Sequence, residues 1–276
     1  MKISVIIPIG DRALYSTCRA SLMRSIENAK GIGCEWELVE VFDDARKGVA
    51  WARNEGVSRA LGDYIAWVDC DDEVEVPWAA EIARELLESP VDMLVFDARA
   101  EWVDGRSGYN IAYGRDAGRI PSNVFAKDVI GVGRMGGWLW NKVFRRGMFD
   151  GRRFVGNAFQ DYRMMCEVLP EAESVWYLPE ILYLYHRRSG GISQYVNRSE
   201  SLKALEALVE IAEMRTDCYA EDMRRGVAVQ AADFCRHAGG ASSLRSFLRR
   251  QLVNVWKARD IVFRVKVKCL LEAIKR

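Results

Sequence analysis

The chain has 276 residues, of which 50% are hydrophobic and 29% are charged, and its formal net charge is +1 at pH 7. This composition is typical of a globular protein with a large core, and it excludes a disordered or collagen-like chain. A net charge so near zero argues against nucleic acid as a partner over the whole surface. The seven cysteines include no C-x-x-C pair and there are two histidines. These counts argue against a disulfide framework, a cysteine-based zinc site and a histidine-rich metal centre.

The N-terminal apolar stretch, residues 3–9, is interrupted by Ser4 and Pro8 and is followed at once by Asp11 and Arg12. It is too short for a secretory signal, and no apolar run reaches the roughly 20 residues that span a bilayer. We therefore expect a cytoplasmic protein, either soluble or held peripherally at the inner face of the cell membrane.

The first hundred residues alternate between strand and helix patterns. Short apolar and β-branched runs predict strands at residues 3–7, 36–42, 64–68 and 91–96. Helical spacing predicts helices at 14–29 and 49–61, with Gly62 just past the end of the second, and a third helix that begins at Pro77. This alternation predicts a parallel sheet with helices on both faces.

The remainder of the chain has two different patterns. Residues 100–195 are a mixed segment, rich in Gly, Trp and Arg, with a predicted helix at 159–169 and a β-like stretch at 181–185. From Ser199 onward the pattern is almost wholly helical, with one break at Gly239-Gly240. The sequence therefore predicts an α/β fold followed by a helical region.

Acidic residues follow two of the predicted strands. In α/β sheets, ligands bind outside the carboxyl ends of the strands, so we expect Pro8, Asp43, Asp44, Asp69 and Asp71 along one edge. The D-x-D carboxylates at 69 and 71 can share one divalent cation, and Mg²⁺ or Mn²⁺ suits them because they offer no soft ligands. The alternative is a plain turn, since Asp is a favoured turn residue.

Several motifs, in this order and spacing, resemble the nucleotide-binding half of the family 2 glycosyltransferases: V-I-I-P-I, V-F-D-D, G-V-A-W-A-R-N-E-G and G-D-Y-I-A-W-V-D-C-D-D. Downstream, W-N-K-V-F-R-R and F-Q-D-Y-R-M-M resemble the acceptor-side segment and catalytic pair of that family. The run Y-L-Y-H-R-R-S-G-G-I-S resembles the strand and loop that close over the diphosphate. The resemblance covers about residues 1–195.

The resemblance implies a GT-A fold, which is a Rossmann-like mixed sheet with helices on both faces, over residues 1–195. Its nucleotide-binding half is expected at 1–98 and its acceptor half at 99–195, with a C-terminal α-helical region at 196–276. The implied activity is inverting transfer of a single sugar from a nucleotide-sugar, a UDP-sugar, to a hydroxyl of a glycan or lipid-linked saccharide. The Q-x-x-R-W signature of processive synthases is absent.

The resemblance also implies roles for individual residues. Asp161 is expected to be the general base, and Asp71 to bind the metal ion with Asp69, which also holds the ribose. His186 is expected either to touch the diphosphate or metal or simply to cap a strand. The expected nucleotide-sugar site comprises Pro8, Ile9, Asp43, Asp44, Arg53, Asp69, Cys70, Arg187 and Arg188. The expected acceptor side comprises Trp138, Trp140, Lys142 and Gln160.

Three positions depart from the family pattern. Ile9-Gly10 replaces Tyr-Asn, Ala45-Arg46-Lys47 replaces a longer Gly-Ser-x-Asp segment, and Gln160 stands where the catalytic pair has Glu. Two other functions remain open: a sugar-1-phosphate nucleotidyltransferase, and a non-catalytic relative that binds sugar nucleotides. Trp138 and Trp140 could stack on sugar rings or belong to the core, and Cys70 could be a small buried hydrophobe.

The last segment, residues 241–276, has ten basic and two acidic residues, a net charge of +8. Its apolar residues recur at near-helical spacing beside the basic ones, which is typical of helices that lie on an anionic membrane surface. The alternative is a helical bundle that packs its apolar stripe on the catalytic domain. The partners expected from the sequence are thus a nucleotide-sugar, a saccharide or lipid-linked acceptor and an anionic membrane surface, with no nucleic acid.

Overall fold

The computed structural model describes residues 1–131, 136–188, 197–258 and 261–275. The chain divides into two units, each treated by itself. The sheet unit comprises Met1–Ser122, Trp138–Val155 and Glu171–Ser189, and the helical unit comprises Asn123–Gly137, Gly156–Pro170 and Gly190–Arg276.

The strands of the sheet unit, within the described ranges, form one mixed sheet of nine strands. They are β1 Lys2–Ile9, β2 Glu35–Phe42, β3 Tyr64–Trp67, β4 Glu73–Val74, β5 Met93–Trp102, β6 Tyr109–Ile111, β7 Gly118–Ile120, β8 Lys142–Arg145 and β9 Val175–Arg187. The main order is β2-β1-β3-β8-β5-β9-β4, with β6 paired to β5 and β7 to β9. The parallel sheet predicted from the first hundred residues holds for β2-β1-β3. Strand β8 then enters antiparallel between β3 and β5.

Helices cover both faces of this sheet. They are α1 Arg12–Asn28, α2 Val49–Arg59 and α3 Trp78–Glu88. The odd-numbered residues of β1 share one core cluster with buried side chains of α1 and α3. Ile6 points to the other face, where it packs so closely against α2 that a Cβ on Gly56 would lie 2.2 Å from its Cγ2. The alternation of side chains along β1 therefore fixes which helix covers which face.

Strand β9 contains a bulge that changes its alternation. Leu178 pairs with Phe96 and Tyr183 pairs with Ala98, so five steps along β9 match two along β5. Because the extra residues are odd in number, Tyr183 faces the side of the sheet opposite to Tyr177. Tyr183 accordingly belongs to the core cluster of α1 and α3, together with Ala98.

The helical unit contains most of α4 Ser122–Ile130, together with α5 Gln160–Val168, α6 Arg198–Met214, α7 Ala220–Ala238, α8 Ser242–Lys257 and α9 Phe263–Ile274. The predicted break at Gly239-Gly240 is present between α7 and α8, but the chain also leaves the helix after α6 and after α8. These further breaks carry no Gly or Pro. At the break after α6, the contacts come from Arg215, whose guanidinium binds Asp217 and the carbonyl of Cys166. No helix in the described part of the chain is both long and apolar enough to cross a membrane.

Gly62 has a different role from the predicted helix end. Helix α2 ends at Arg59, and Gly62 lies where the backbone approaches β1. A Cβ at this position would lie 2.7 Å from the amide nitrogen of Ser4 and 2.8 Å from the carbonyl oxygen of Tyr64. Only glycine fits, because any Cβ would overlap these backbone atoms. The close approach is held by the Gly62 amide, which donates to Ser4 Oγ at 2.8 Å.

Candidate active site

The carboxyl ends of β1, β2 and β3 lie side by side, because β1 pairs in parallel with both neighbours. The Asp43 amide, just past β2, donates to the carbonyl of Ile9 at the end of β1. Asp69–Asp72 follow the end of β3. The predicted edge therefore exists, and it carries the two acidic segments at the ends of β2 and β3, the strands on either side of β1.

Asp43 shapes the loop that leads into α2. Its two carboxylate oxygens accept the backbone N–H groups of Lys47 and Gly48, both at 2.7 Å. Asp44 lies at the surface, where Arg12 donates two hydrogen bonds to it at 3.0 and 2.7 Å. These bonds hold the pKa of the Asp44 carboxyl below its usual range. Sequence reasoning missed Arg12, whose guanidinium also lies 4.1 Å from the ring centre of Phe42.

Asp69 is held by a buried arginine. Arg53 is 4% exposed, and its Nη2 donates to Asp69 Oδ1 at 3.3 Å. Its Nε and Nη1 have no hydrogen-bond partner among the described residues. The guanidinium instead lies 5.9 and 5.8 Å from the ring centres of Trp67 and Phe154, within the range of a cation–π contact. Arg53 and Asp69, predicted to serve the same nucleotide, are therefore neighbours.

Asp72 anchors the turn that carries the D-x-D pair. It is 1% exposed, and its oxygens accept the Tyr183 hydroxyl and the His186 amide, both at 2.8 Å. The Tyr183 oxygen in turn accepts the Asp69 amide at 3.1 Å. Burial raises the pKa of Asp72 well above its usual value, and the charges of Asp69 and Asp71 raise it further. The sequence contains a signal for this residue, since the motif reads D-x-D-D, but spacing alone gives no role to its fourth position.

The two neighbouring arginines at the end of β9 have different surroundings. Arg188 Nη1 donates to Asp71 Oδ2 at 2.6 Å. The guanidinium of Arg187 lies 4.3 Å from the ring centre of Trp102, and its Nη1 donates to the Tyr109 hydroxyl at 3.1 Å. The structure therefore brings Arg188, and not Arg187, to the carboxylates.

The His186 side chain contacts Glu73, the residue that follows the acidic turn. Its Nε2 lies 3.0 Å from a carboxylate oxygen of Glu73, the residue after the D-x-D-D motif. The glycine-containing part of the predicted diphosphate loop, residues 189–193, lies outside the described residues.

The remaining predicted nucleotide contacts are mostly buried. Pro8 lies within β1 beside Val41 of β2. Ile9 belongs to the core cluster of the sheet unit. Cys70 is half-buried, and burial raises the pKa of its thiol. Contacts of these three residues with a nucleotide remain predictions.

Four aromatic rings form a stack on the sheet unit. Trp140 stacks with Trp138, Tyr183 and Tyr185 at centroid distances of 5.3, 4.8 and 5.5 Å, with interplanar angles under 20°. Trp140 is 4% exposed and belongs to the core, whereas Trp138 is 36% exposed and forms the open end of the stack. Lys142 is fully buried, and its Nζ donates to the Trp138 carbonyl and to Asn141 Oδ1, both at 2.7 Å. Lys142 thus supports Trp138 from within and does not itself face outward.

Gln160 and Asp161 begin helix α5 in the helical unit. The preceding residue, Phe159, has a φ of 54°, in the left-handed region that side chains rarely adopt. The Gln160 side chain is buried, and its Oε1 has no hydrogen-bond partner within the described ranges. Asp161 Oδ1 accepts the Tyr162 amide at 2.8 Å. Strained backbone and an unpaired buried polar atom beside a carboxylate are features that concentrate at functional sites.

The close packing behind α5 fixes where it begins. The hydroxyl of Tyr162 donates to the carbonyl of Ile130 at 2.6 Å. Gly226 of α7 leaves the room for this bond, because a Cβ there would lie 2.0 Å from the Ile130 oxygen and 2.3 Å from the Tyr162 hydroxyl. The start of α5, and with it Asp161, is therefore anchored inside the helical unit.

Comparisons with known proteins find a family match over part of the chain. Residues 24–151 match the model of "Glycosyl transferase family 2". The uncharacterized glycosyltransferase YibD of Escherichia coli (strain K12) is 27% identical over 222 residues, which are 70% of this chain and 63% of YibD. EpsH of Bacillus subtilis (strain 168) is 25% identical over 114 residues, which are 41% of this chain and 33% of EpsH. The chain thus spans less than two thirds of the length of either relative.

A solved structure has the same fold. The crystal structure of Staphylococcus aureus TarS 1–349 in complex with UDP-GlcNAc matches with a TM-score of 0.63 at 14% identity, over 99% of this chain and 89% of that one. At this identity the likeness concerns the fold alone. On the family match and these relatives, residues 24–151 form a family 2 glycosyltransferase domain, and the chain has the GT-A fold.

Proposed function

We propose that the protein is an inverting glycosyltransferase that transfers one sugar from a nucleotide-sugar, specifically a UDP-sugar, to a hydroxyl of a glycan or lipid-linked saccharide. The observation that carries the proposal is the acidic turn of Asp69, Asp71 and Asp72 after β3, together with Asp43 after β2, at the carboxyl edge of a GT-A sheet. The TarS structure of the same fold is a complex with UDP-GlcNAc, which supports a donor of this class.

The donor side of the proposal assigns the nucleotide to the β1–β3 edge. Asp43 accepts an N–H of the base, and Asp69, oriented by Arg53 and by the Tyr183 hydroxyl, holds the ribose. Arg188, which pairs with Asp71, brings positive charge to the place where the diphosphate of the leaving group develops negative charge.

A divalent cation fits this donor set. The described residues include no group of three or more His, Cys, Asp or Glu side chains arranged to hold a metal ion. The carboxylates of Asp69 and Asp71 are nevertheless hard oxygen ligands of the kind that Mn²⁺ and Mg²⁺ prefer, and such ions commonly take their other ligands from phosphates and water. The ion would neutralise charge on the diphosphate.

The acceptor side of the proposal concerns Asp161. Its carboxylate takes the proton of the acceptor hydroxyl while that oxygen forms the new bond to the anomeric carbon. The bond from this carbon to the diphosphate breaks on the opposite side, so the configuration inverts. Gln160, with its unpaired Oε1, orients acceptor hydroxyls. Trp138 offers its exposed ring to the apolar face of a sugar.

A donor panel with product analysis tests this proposal. The full chain is incubated with Mn²⁺, nucleotide-sugars and saccharide acceptors, and the products are separated. Release of a nucleoside diphosphate with sugar transfer supports the proposal. Release of pyrophosphate supports a sugar-1-phosphate nucleotidyltransferase, and binding without turnover supports a non-catalytic relative.

Two variants and their matched controls sharpen the test. Asp71→Asn should abolish metal-dependent turnover, whereas Asp116→Asn, at an exposed loop position, should not. Asp161→Asn should lower transfer by about 10²–10⁴-fold with donor affinity retained, as removal of a general base does. Glu167→Gln, on the same helix, should leave transfer unchanged. Full activity of Asp71→Asn in the presence of EDTA would contradict the role of the metal.

We also propose a cytoplasmic location with peripheral attachment to an anionic membrane surface through the C-terminal helices. The composition of residues 241–276 supports this partner. Of its charged residues, Arg259, Asp260 and Arg276 lie outside the described ranges.

A further inference from the structure

Helix α9 carries an apolar stripe that faces outward. Phe263, Val267, Leu271 and Ile274 lie at i, i+4, i+8 and i+11, which places them within about 80° of the helix circumference. Phe263, Leu271 and Ile274 are 70%, 51% and 62% exposed. A globular helix of this length normally turns such a stripe toward a core.

The opposite side of α9 is the one that packs inside the helical unit. Cys269, Glu272 and Ala273 are buried. Arg264, Lys268 and Lys275 lie between this buried side and the apolar stripe, on the adjacent part of the circumference. The helix therefore has three zones: a packed side, a basic flank and an exposed apolar stripe.

The stripe continues onto the end of α8. The ring of Trp256 meets that of Phe263 edge to face, with centroids 6.0 Å apart. Val253, one turn before Trp256, is also exposed. We call the surface formed by Val253, Trp256, Phe263, Leu271 and Ile274 the apolar face.

Positive charge predominates beside the apolar face. Helices α8 and α9 contain seven Lys and Arg residues and one acid, Glu272, which is buried. A cavity of about 530 Å³ beside α8 is lined in part by the cations Arg224, Arg250 and Lys257 and by one acid, Glu221. Lys257 and Arg264 are exposed, and neither has an ion pair with any described residue.

This combination selects one occupant. A second copy of the chain, docked through the same face, would bring the two sets of cations together. An anionic lipid surface instead accepts the aromatic rings at headgroup level and pairs its phosphates with the flanking cations. We propose that the apolar face docks on an anionic membrane, with Trp256 and Phe263 inserted and lipid phosphates at Lys257 and Arg264. The inference deepens the membrane contact of the proposed function and does not depend on the transfer chemistry.

Vesicle flotation tests the docking face. The full chain is mixed with vesicles of phosphatidylcholine containing phosphatidylglycerol, or of phosphatidylcholine alone, at low and high NaCl. We expect flotation with the anionic vesicles at low salt and its loss at high salt, because the Debye length falls from about 10 Å at 0.1 M to about 3 Å at 1 M.

Paired variants separate the two parts of the face. Lys257→Glu should weaken binding by about thirtyfold, since each charge near the surface contributes about fivefold and the reversal counts twice. Phe263→Ser should weaken it by about tenfold or more. The matched controls are Lys203→Glu and Met214→Ser, two exposed positions on α6 that do not belong to the apolar face, and they should bind like the wild type.

Several results would overturn the inference. They are absence of flotation with anionic vesicles, equal flotation with neutral vesicles, or wild-type binding by both Lys257→Glu and Phe263→Ser. A concentration-dependent dimer that Phe263→Ser abolishes, seen by analytical ultracentrifugation, would assign the face to a second copy. Donor binding measured on the same samples keeps this outcome separate from failure of the proposed enzymatic function.

Discussion

Replacing Tyr183 with Phe tests the link between the core of the sheet and the acidic turn. The Tyr183 hydroxyl donates to Asp72 Oδ2 at 2.8 Å and accepts the Asp69 amide at 3.1 Å. Phenylalanine keeps the ring, and so its stacking on Trp140, but removes both hydrogen bonds. The change therefore alters the support of the D-x-D pair with little change in packing.

The expected loss of unfolding free energy follows from the polar groups that the variant leaves without a partner. Asp72 keeps the bond from the His186 amide to its other oxygen, but Oδ2 and the Asp69 N–H lose their partner. Each buried polar group without a partner costs about 1–3 kcal/mol, so the loss of two partners should lower the unfolding free energy by about 2–6 kcal/mol. Because Asp69 is then less well positioned, we expect donor affinity to fall by about tenfold, which corresponds to about 1.4 kcal/mol.

A second buried tyrosine on the same strand supplies the control. Tyr177 donates to Asp97 Oδ1 at 2.8 Å, on the face of the sheet opposite to Tyr183. Tyr177→Phe should also destabilise the fold, by about 1–3 kcal/mol, but should leave donor affinity unchanged. Urea denaturation measures the first quantity and calorimetric titration with nucleotide-sugar measures the second. Unchanged donor affinity in Tyr183→Phe, or an equal loss in both variants, would refute the reasoning.

Three other predictions concern single positions. Gly62→Ala should destabilise the fold by about 1–3 kcal/mol because its Cβ overlaps Ser4, and an unchanged urea midpoint would contradict this. Burial alone would raise the pKa of Asp92, but hydrogen bonds, the one from Arg145 among them, outweigh it and lower the pKa. The stability that Asp92 contributes is therefore complete above its unfolded pKa of about 3.9 and lost as pH falls through the lower folded value, so wild type and Asp92→Asn should converge in acid denaturation. Trp138→Ala should raise KM for the acceptor and leave donor affinity unchanged, and the opposite pattern in steady-state kinetics would remove Trp138 from the acceptor side.

Local patterns in the sequence predicted much of the fold. The apolar runs of β1 and β3 and the helical spacing of α3, with Trp78, Ile82 and Leu86 buried, are found in the structure. The insertion of β8 between β3 and β5 could not be predicted, because strand pairing depends on contacts between distant segments. The additional breaks after α6 and α8 could not be predicted from helix-breaking residues either, since those loops contain no Gly or Pro.

The candidate site was predictable to the same extent. The edge that carries Asp43 and Asp69 follows from strand order alone, and the structure has it. What the sequence does not contain is the partner of each carboxylate. Asp71 pairs with Arg188 over a separation of 117 residues, and Asp72 pairs with Tyr183 over 111. Such pairings are set by the tertiary fold, and no local pattern indicates them.

In the bulge of β9, the number of residues matters more than the identity of their side chains. Pro179 and Glu180 are exposed within the bulge, so substitutions at either position change little of the core. Loss of one residue would instead shift every side chain that follows to the other face of the sheet. The Tyr183 side chain would then no longer reach the acidic turn, although the residue would still be a tyrosine. In this part of the molecule, natural variation should therefore appear as exchanges of residues and not as insertions or deletions.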